Sequence, residues 1–211
     1  MINNYQFSNA WFDGAARSVW DVLIPQIMPN RILEIGSYEG ASACYIIEKM
    51  GLNKDIEIHC IDTWEGGIEH KKGGSAEAEM SVVEARFISN IEIARKKYNN
   101  KANIIVHKGS SDLELAKLLA LNYRNYFDFI YVDGSHQASD VFCDAALSFR
   151  LLKVGGYLIF DDYTWNEPLS YGVDPIRSPK IAIDAFTTIY CRKLKIINAP
   201  LYQLYLQKLS D

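Results

Sequence analysis

Two apolar runs of this chain end abruptly at acidic residues. Residues 127–136 read FDFIYVDGSH and residues 155–163 read GGYLIFDDY, and the aromatic and branched side chains of both runs suit buried strands. Residues 138–154 between them are long enough for one helix, so the segment predicts a strand–helix–strand unit whose two strands are parallel. Asp133, Asp161 and Asp162 then lie at the same carboxyl edge of the sheet, where open α/β sheets bind ligands.

Three carboxylates gathered at one edge repel one another unless a positive charge joins them. A hard cation that prefers oxygen ligands, such as Mg²⁺, satisfies this requirement. We therefore predict a metal site formed by Asp133, Asp161 and Asp162. The alternative is a set of solvated turn carboxylates.

The length and composition fit a single α/β domain. A chain of 211 residues with a net charge of −4 and no long basic run suits a single α/β domain and does not suggest binding to nucleic acid or to anionic membranes. The start of the chain has no apolar signal segment, and no run approaches the ~18 apolar residues of a membrane span. The four cysteines lack CxxC spacing and are expected to be buried free thiols. We expect a cytoplasmic protein.

Strand and helix patterns alternate five times along the chain, which predicts a doubly wound α/β sheet. An antiparallel hairpin at the C-terminus would complete seven strands. We expect an N-terminal segment with one helix over residues 1–30 and the main domain over residues 31–211. The predicted helices cover residues 11–28, 40–50, 77–98, 112–122, 139–152 and 181–190, and the predicted strands cover 31–35, 56–61, 103–107, 127–132, 157–160, 194–198 and 201–207. A polar loop with four glycines covers residues 64–75.

The turn after the first strand has the pattern of a ligand-binding turn. It reads ILEIGSYEGAS over residues 32–42. Gly36 permits a tight turn, and Gly40 permits close packing of a helix whose free N–H groups face the turn. The pattern lacks G-x-G-x-x-G, which argues against a pyrophosphate ligand and suits one that places a carboxylate and an amine there. We assign Glu34 and Ser37 to this cofactor site as well, although Glu34 could simply face solvent.

Two further turns complete the predicted cofactor site. Asp62 ends the second strand, and an acid at this position can accept both hydroxyls of a ribose. We place Thr63 beside it; alternatively, Asp62 could cap a helix or stabilise a turn. After the third strand, Ser110 and Ser111 border the position of an adenine, although Ser111 or Asp112 could equally serve as a helix N-cap.

These motifs resemble those of Rossmann-type S-adenosylmethionine (SAM) methyltransferases over about residues 31–208. The segment DTWEGG further resembles metal-dependent O-methyltransferases that act on sugars of antibiotic glycosides. Catechol-type enzymes have a similar acidic trio, but this chain is closer to the sugar group. The resemblance implies that Asp133, Asp161 and Asp162 bind Mg²⁺ and that His136 serves as the base. Residues 1–12 and 163–179 match no pattern of the family.

The chemistry supports the same residues. A hydroxyl must lose its proton as it attacks the methyl group of a sulfonium, and Mg²⁺ lowers the pKa of a bound hydroxyl. A neutral imidazole can accept the proton, so His136 and Asp133 are our catalytic candidates, although His136 could instead cap the following helix. Chelation by a metal favours acceptors with adjacent hydroxyls, and we expect a sugar or glycoside.

Two other functions remain open at this point. A nicotinamide-dependent oxidoreductase would need G-x-G-x-x-G, and the Tyr45–Lys49 pair lies in a helix away from the carboxyl edge. A non-catalytic SAM-binding or protein-interaction module would have no need of three acids and a histidine at one edge. The aromatic residues of the N-terminal segment could pack on the core or contact a second subunit, so a homo-oligomer is also open.

Overall fold

The computed structural model describes residues 4–51, 55–98 and 101–211. The first three residues of the predicted N-terminal segment therefore lie outside the described residues. The helices are α1 (Trp11–Ala15), α2 (Arg17–Ile27), α3 (Ala41–Met50), α4 (Met80–Lys97), α5 (Ser111–Ala120), α6 (Ala138–Leu151) and α7 (Lys180–Ile189). The strands are β1 (Arg31–Ile35), β2 (Ile56–Asp62), β3 (Ala102–Lys108), β4 (Phe127–Val132), β5 (Leu152–Phe160), β6 (Leu194–Ile197) and β7 (Leu204–Lys208).

The seven strands form one sheet in the order β3-β2-β1-β4-β5-β7-β6. Strands β1 to β5 are parallel, whereas β7 is antiparallel to both β5 and β6. The predicted α/β class and the C-terminal antiparallel hairpin are confirmed. The strand order reverses between β1 and β4, and the crevice at such a point is where doubly wound sheets bind ligands.

The helices cover both faces of the sheet because successive strand residues point to opposite faces. In β5, Ile159 belongs to one apolar cluster, whereas Leu158 and Phe160 belong to the other. On the first face, the fully buried Trp20 of α2 packs edge-on against Phe129 with ring centroids 5.1 Å apart. A large apolar side chain contributes about 1.5–3 kcal/mol when fully buried, so Trp20 attaches α2 firmly to the central strand β4.

Three predicted elements differ most from the structure, whereas the ends of the other helices and strands lie within three residues of their predicted bounds. The helix expected over residues 11–28 is two helices that meet at Ala16. Strand β5 begins at Leu152 instead of Tyr157, because Gly155 adopts a φ of 85° and the strand continues through the double glycine. The predicted loop over residues 64–75 contains a 3₁₀ helix, Ile68–His70.

The prediction that the four cysteines are buried free thiols is only partly confirmed. All four are free thiols, but Cys143 is half-buried and Cys191 is exposed. In the parts of the chain that the structure describes, no helix combines the length and the apolar character needed to cross a bilayer.

Candidate active site

A large cleft opens at the carboxyl edge of the central strands. Its cavity volume is about 1320 Å³. The residues of our predicted sites that line it are Gly36, Asp62, Thr63, Ser110, Ser111, Asp133, His136, Asp161 and Asp162. The structure thus brings together the turns after β1, β2 and β3 and the acids after β4 and β5.

The turn after β1 contacts the turn after β4 through the main chain alone. Gly36 has a φ of 84°, and a Cβ atom at this position would lie 2.0 Å from the carbonyl oxygen of Asp133. The N–H of Gly36 donates to Ile61 O at 2.8 Å, and the N–H of Asp133 donates to Ile35 O at 2.8 Å. Only glycine meets both requirements at residue 36, the left-handed backbone and the close approach.

Three residues predicted for the cofactor site stabilise this turn and do not line the cleft: Glu34, Ser37 and Gly40. Glu34 is 2% exposed and accepts hydrogen bonds from the hydroxyls of Ser37, at 2.6 Å, and Ser42. Burial raises the pKa of Glu34, while the two hydroxyls partly oppose the rise. Gly40 is the N-cap of α3 with a φ of 80°. Glu34 therefore faces neither solvent nor the cleft in this structure.

Asp62 connects the first two turns. Its Oδ2 accepts the N–H groups of Ser37 and Tyr38, both at 2.9 Å, and its Oδ1 accepts the N–H of Trp64 at 2.7 Å. The turn role that the sequence left open is therefore present. Each carboxylate oxygen has two acceptor positions, so Asp62 also retains capacity for a ligand hydroxyl.

The turn after β3 lies beside Asp62. The N–H of Gly109 donates to Asp62 O at 3.0 Å. Ser110 is the N-cap of α5, but its side chain forms no capping hydrogen bond, and α5 begins at Ser111. Both serines therefore line the cleft at the start of a helix, where backbone N–H groups are free.

The acids after β4 and β5 form one buried network. The hydroxyl oxygen of Tyr131, which is 2% exposed, lies 3.0 Å from Asp133 Oδ2 and also contacts Asp161, so the two carboxylates share its single proton. Burial and the neighbouring carboxylates Asp161 and Asp162 raise the pKa of Asp133 well above its usual range. Burial and Asp162 raise the pKa of Asp161 to about 6. The mutual repulsion expected from the sequence is therefore present.

His136 lies between two carboxylates. Its Nε2 is 2.8 Å from Asp162 Oδ2, and its Nδ1 is 3.4 Å from Glu69 Oε1. Trp165 stacks on the imidazole with ring centroids 4.2 Å apart. Burial alone would lower the pKa of His136, but Asp162 and Glu69 outweigh it and raise the pKa to about 9. Asp162 has a φ of 54°, a strained conformation for a non-glycine residue that is typical of functional sites.

The donor set suits Mg²⁺, but the side chains do not form a preformed cage. Within the described ranges, no group of three His, Cys, Asp or Glu side chains is arranged to hold a metal ion. Asp133 and Asp161 turn to Tyr131, and Asp162 accepts from Tyr202 at 2.7 Å. The fit rests on chemistry: these are hard oxygen donors whose charges repel, and a cation stabilises such a set.

The sequence analysis missed three residues that line the cleft, Glu69, Trp165 and Tyr202, and the buried Tyr131 that contacts the acids. Glu69 lies in a segment whose composition predicts only a polar loop. Tyr131 looks like one more apolar residue of β4. Trp165 and Tyr202 follow strands in segments without a recognisable motif. The positive φ of Asp162 also marks this part of the cleft, but no residue pattern in the sequence predicts it.

Comparisons with known proteins agree with this fold. Residues 33–163 match a family model described as a methyltransferase domain. The crystal structure of an O-methyltransferase from Bacillus cereus in complex with SAH has 17% identity and a TM-score of 0.64, and the match covers 98% of this chain and 84% of that one. TomG from Streptomyces achromogenes, an O-methyltransferase of tomaymycin synthesis solved with SAM, has 14% identity and a TM-score of 0.57 over 92% of this chain and 79% of that one.

A curated relative matches only a short stretch. The uncharacterized protein R132 of Acanthamoeba polyphaga mimivirus is 34% identical over 55 residues, which is 25% of this chain and 25% of that protein. The chain therefore spans about a quarter of the length of this relative.

The sheet order, the C-terminal antiparallel hairpin and the cleft define a class I methyltransferase fold. The family match covers more than half of the chain, and the chain belongs to this methyltransferase domain family. Membership decides against the nicotinamide-dependent oxidoreductase, in agreement with the missing G-x-G-x-x-G.

Proposed function

We propose that this protein transfers the methyl group of SAM to a hydroxyl of a small polyhydroxylated acceptor, a sugar or glycoside. The observation that carries the proposal is the backbone contact between Gly36 and Asp133. It joins the turn suited to the donor directly to the acids suited to the acceptor. A displacement needs donor carbon and acceptor oxygen about 3–3.5 Å apart and in line, and two turns in contact within one cleft favour such an approach.

The donor would occupy the three turns after β1, β2 and β3. The turn at Gly36 lines the cleft and would receive the amino-acid end of SAM; a larger residue at this position would collide with the main chain of Asp133 and displace the turn. Asp62 and Thr63 would receive the ribose, and Ser110 and Ser111 would border the adenine. Glu34, Ser37 and Gly40 would act indirectly by fixing the turn.

The acceptor would lie against Asp133, Asp161 and Asp162, which we propose as ligands of Mg²⁺. When bound, Mg²⁺ would lower the pKa of an acceptor hydroxyl and orient its oxygen. His136 would accept the hydroxyl proton at Nε2, the nitrogen that faces Asp162. Its imidazole must be neutral to do so, and its raised pKa has two main sources, the carboxylates of Asp162 and Glu69. A cation bound to the Asp162 carboxylate would remove one of these two sources and so lower the pKa of His136.

Aromatic side chains at the cleft support an acceptor with a ring. Trp165, Tyr202 and the 53% exposed Trp11 all line it, and such rings pack well against flat apolar faces. A ring with adjacent hydroxyls would present one face to these residues and two oxygens to the acids. A sugar has both features, and so does a catechol. The sugar is favoured by the DTWEGG segment of residues 62–67.

Two measurements test this function. Calorimetry with SAM and SAH should show binding of both. A mass-spectrometric screen with SAM and Mg²⁺ should then detect a methylated product among sugars, glycosides and catechols, and not among matched compounds with one isolated hydroxyl. Absence of SAH binding, or transfer confined to amines or thiols, would contradict the proposal.

Replacing Asp62 by alanine should weaken SAM binding. Main-chain N–H groups occupy three of the four acceptor positions of the Asp62 carboxylate, so one charge-assisted hydrogen bond to the ribose would be lost. Such a bond is worth about 1.5–3 kcal/mol, which is roughly a 10- to 150-fold rise in Kd. Calorimetry with SAH measures the effect.

The matched control for Asp62→Ala is Asp128→Ala. Asp128 also accepts two main-chain N–H groups, those of Asn30 and Arg31 at 2.8 and 2.9 Å, but lies outside the cleft. Both variants should lose thermal stability, and only Asp62→Ala should lose affinity. An Asp62→Ala protein with the SAH affinity of the wild type would remove Asp62 from the donor site.

The segment from Trp64 to Ser75 should become more protected when donor and acceptor bind. It extends from Asp62 to the cleft and carries Glu69 to His136, so closure over the ligands would exclude water during transfer. Hydrogen exchange with and without SAH measures this directly. Equal protection in both states would argue against a lid.

A further inference from the structure

Glu69 is a buried carboxylate that the proposed donor and acceptor sites do not use. It belongs to the 3₁₀ helix Ile68–His70, is 7% exposed and lines the cleft. Burial alone would raise the pKa of Glu69, but His136 holds it well below its usual range. A buried charge of this kind is costly unless a partner compensates it, so Glu69 requires an explanation.

The segment around Glu69 is shaped to admit this side chain. A Cβ atom on Gly67 would lie 2.4 Å from Glu69 Oε1, and a Cβ atom on Gly74 would lie 2.2 Å from Glu69 O. The N–H of Ala76 donates to Glu69 O at 3.0 Å. Glycines at these positions let the chain pack around Glu69, which gives the glycine-rich composition of the segment a structural reason.

The partner of Glu69 is Nδ1 of His136. Nδ1 of His136 is buried and forms no hydrogen bond of good geometry within the described residues, and Glu69 Oε1 lies 3.4 Å away. His70 Nδ1 is 3.2 Å from the same oxygen, but it already accepts the N–H of Gly67 at 3.1 Å. A nitrogen that accepts has no proton to give, so the donor available to Glu69 is Nδ1–H of His136.

We propose that Glu69 is a positioning residue that holds Nδ1–H of His136 and thereby directs Nε2 towards the acceptor. Nε2 of His136 faces Asp162 Oδ2 at 2.8 Å, so Glu69 would fix the tautomer once the Asp162 carboxylate is engaged by a cation. The proton would then stay on Nδ1, beside Glu69, and Nε2 would be free to accept. Because Glu69 is carried by the segment between Trp64 and Ser75, the position of this segment and the orientation of the base are coupled. The inference rests on the proposed function for the role of Nε2, but the contact itself does not.

Imidazole ¹⁵N NMR of histidine-labelled protein, recorded at one fixed pH, tests the contact without an acceptor. The wild type should show His136 protonated at Nδ1, identified by loss of its signals in His136→Gln. Glu69→Gln should retain the Nδ1 proton, because the amide oxygen still accepts, whereas Glu69→Ala should change the His136 signals. Glu65→Ala is the matched control, since Glu65 is an exposed glutamate of the same segment. Unchanged His136 signals in Glu69→Ala would overturn the proposal.

Turnover separates positioning from a packing role. With SAM, Mg²⁺ and a catechol or glycoside that is methylated, Glu69→Ala should lower kcat about 10- to 100-fold, and Glu69→Gln should recover part of the loss. The KM for SAM should change less than about twofold in both, because Glu69 holds the base and not the donor. Equal losses in both variants, or a loss confined to KM, would overturn the positioning role of Glu69.

Absence of any methyl transfer by the wild type would contradict the proposed function, while the NMR result would still decide the contact. If Glu69→Ala does not fold, Glu69→Gln and the wild-type spectrum still decide it: a wild-type His136 without a proton on Nδ1 contradicts the proposal.

Discussion

Removal of divalent metal with EDTA is expected to abolish methyl transfer, and Mg²⁺ or Mn²⁺ is expected to restore it. Asp133 and Asp161 share the hydroxyl of Tyr131, and burial together with the repulsion among the acids raises the pKa values of both. A cation stabilises all three ionised carboxylates at once. The measurement is product formation by mass spectrometry before chelation, after it and after metal is added back.

The variant Asp161→Asn tests whether the metal requirement arises at the three aspartates. It should lose Mn²⁺ binding, measured by electron paramagnetic resonance, and turnover with it, while its Kd for SAH stays within about twofold of the wild type. The matched control is Glu92→Gln, an equivalent change at an exposed glutamate of α4 that pairs with Lys96. Full turnover in excess EDTA would refute the metal mechanism and leave His136 to act alone.

Replacing His136 by alanine should lower the rate of methyl transfer by roughly 10²–10⁴-fold, the usual scale for a general base. The acceptor hydroxyl would still lie beside the acids but would have no imidazole to take its proton. Single-turnover kinetics with SAM and Mg²⁺ isolate this step from product release. Mn²⁺ binding should persist, because the three aspartates remain.

The control for His136→Ala is His107→Gln. His107 lies outside the cleft and pairs with the buried His59 at 2.8 Å, so its replacement should affect stability and not the chemical step. A His136→Ala variant with the single-turnover rate of the wild type would assign the proton transfer to another group.

The strands were predictable because their composition and their burial agree. The bounds of β1 and β4 match the sequence prediction, since every residue of β4 except Asp128 is buried and a central parallel strand reads as a continuous apolar run. The start of β5 could not be predicted, because a double glycine normally ends a strand. Here Leu152 pairs with Phe127 across a register shift, a tertiary contact without a local signal.

The site was predictable where its residues directly follow strands. The acids Asp62, Asp133, Asp161 and Asp162 could be placed at one edge because parallel strands end there together. Glu69 could not, because it reaches His136 through a fold of the glycine-rich segment. Glu34 could be placed at the end of β1, but its burial could not be predicted, since its partners are the hydroxyls of Ser37 and Ser42.

The main-chain contact between Gly36 and Asp133 has a consequence for how this enzyme could change its acceptor. No side chain separates the two turns, so a substitution at Gly36 could not tune the gap between the proposed donor and acceptor sites without displacing the main chain of Asp133. The segments over residues 64–75 and 163–179 have no such restriction, and both reach the cleft. New specificities, in evolution or in the laboratory, should therefore arise by exchange of these two segments around an unchanged frame.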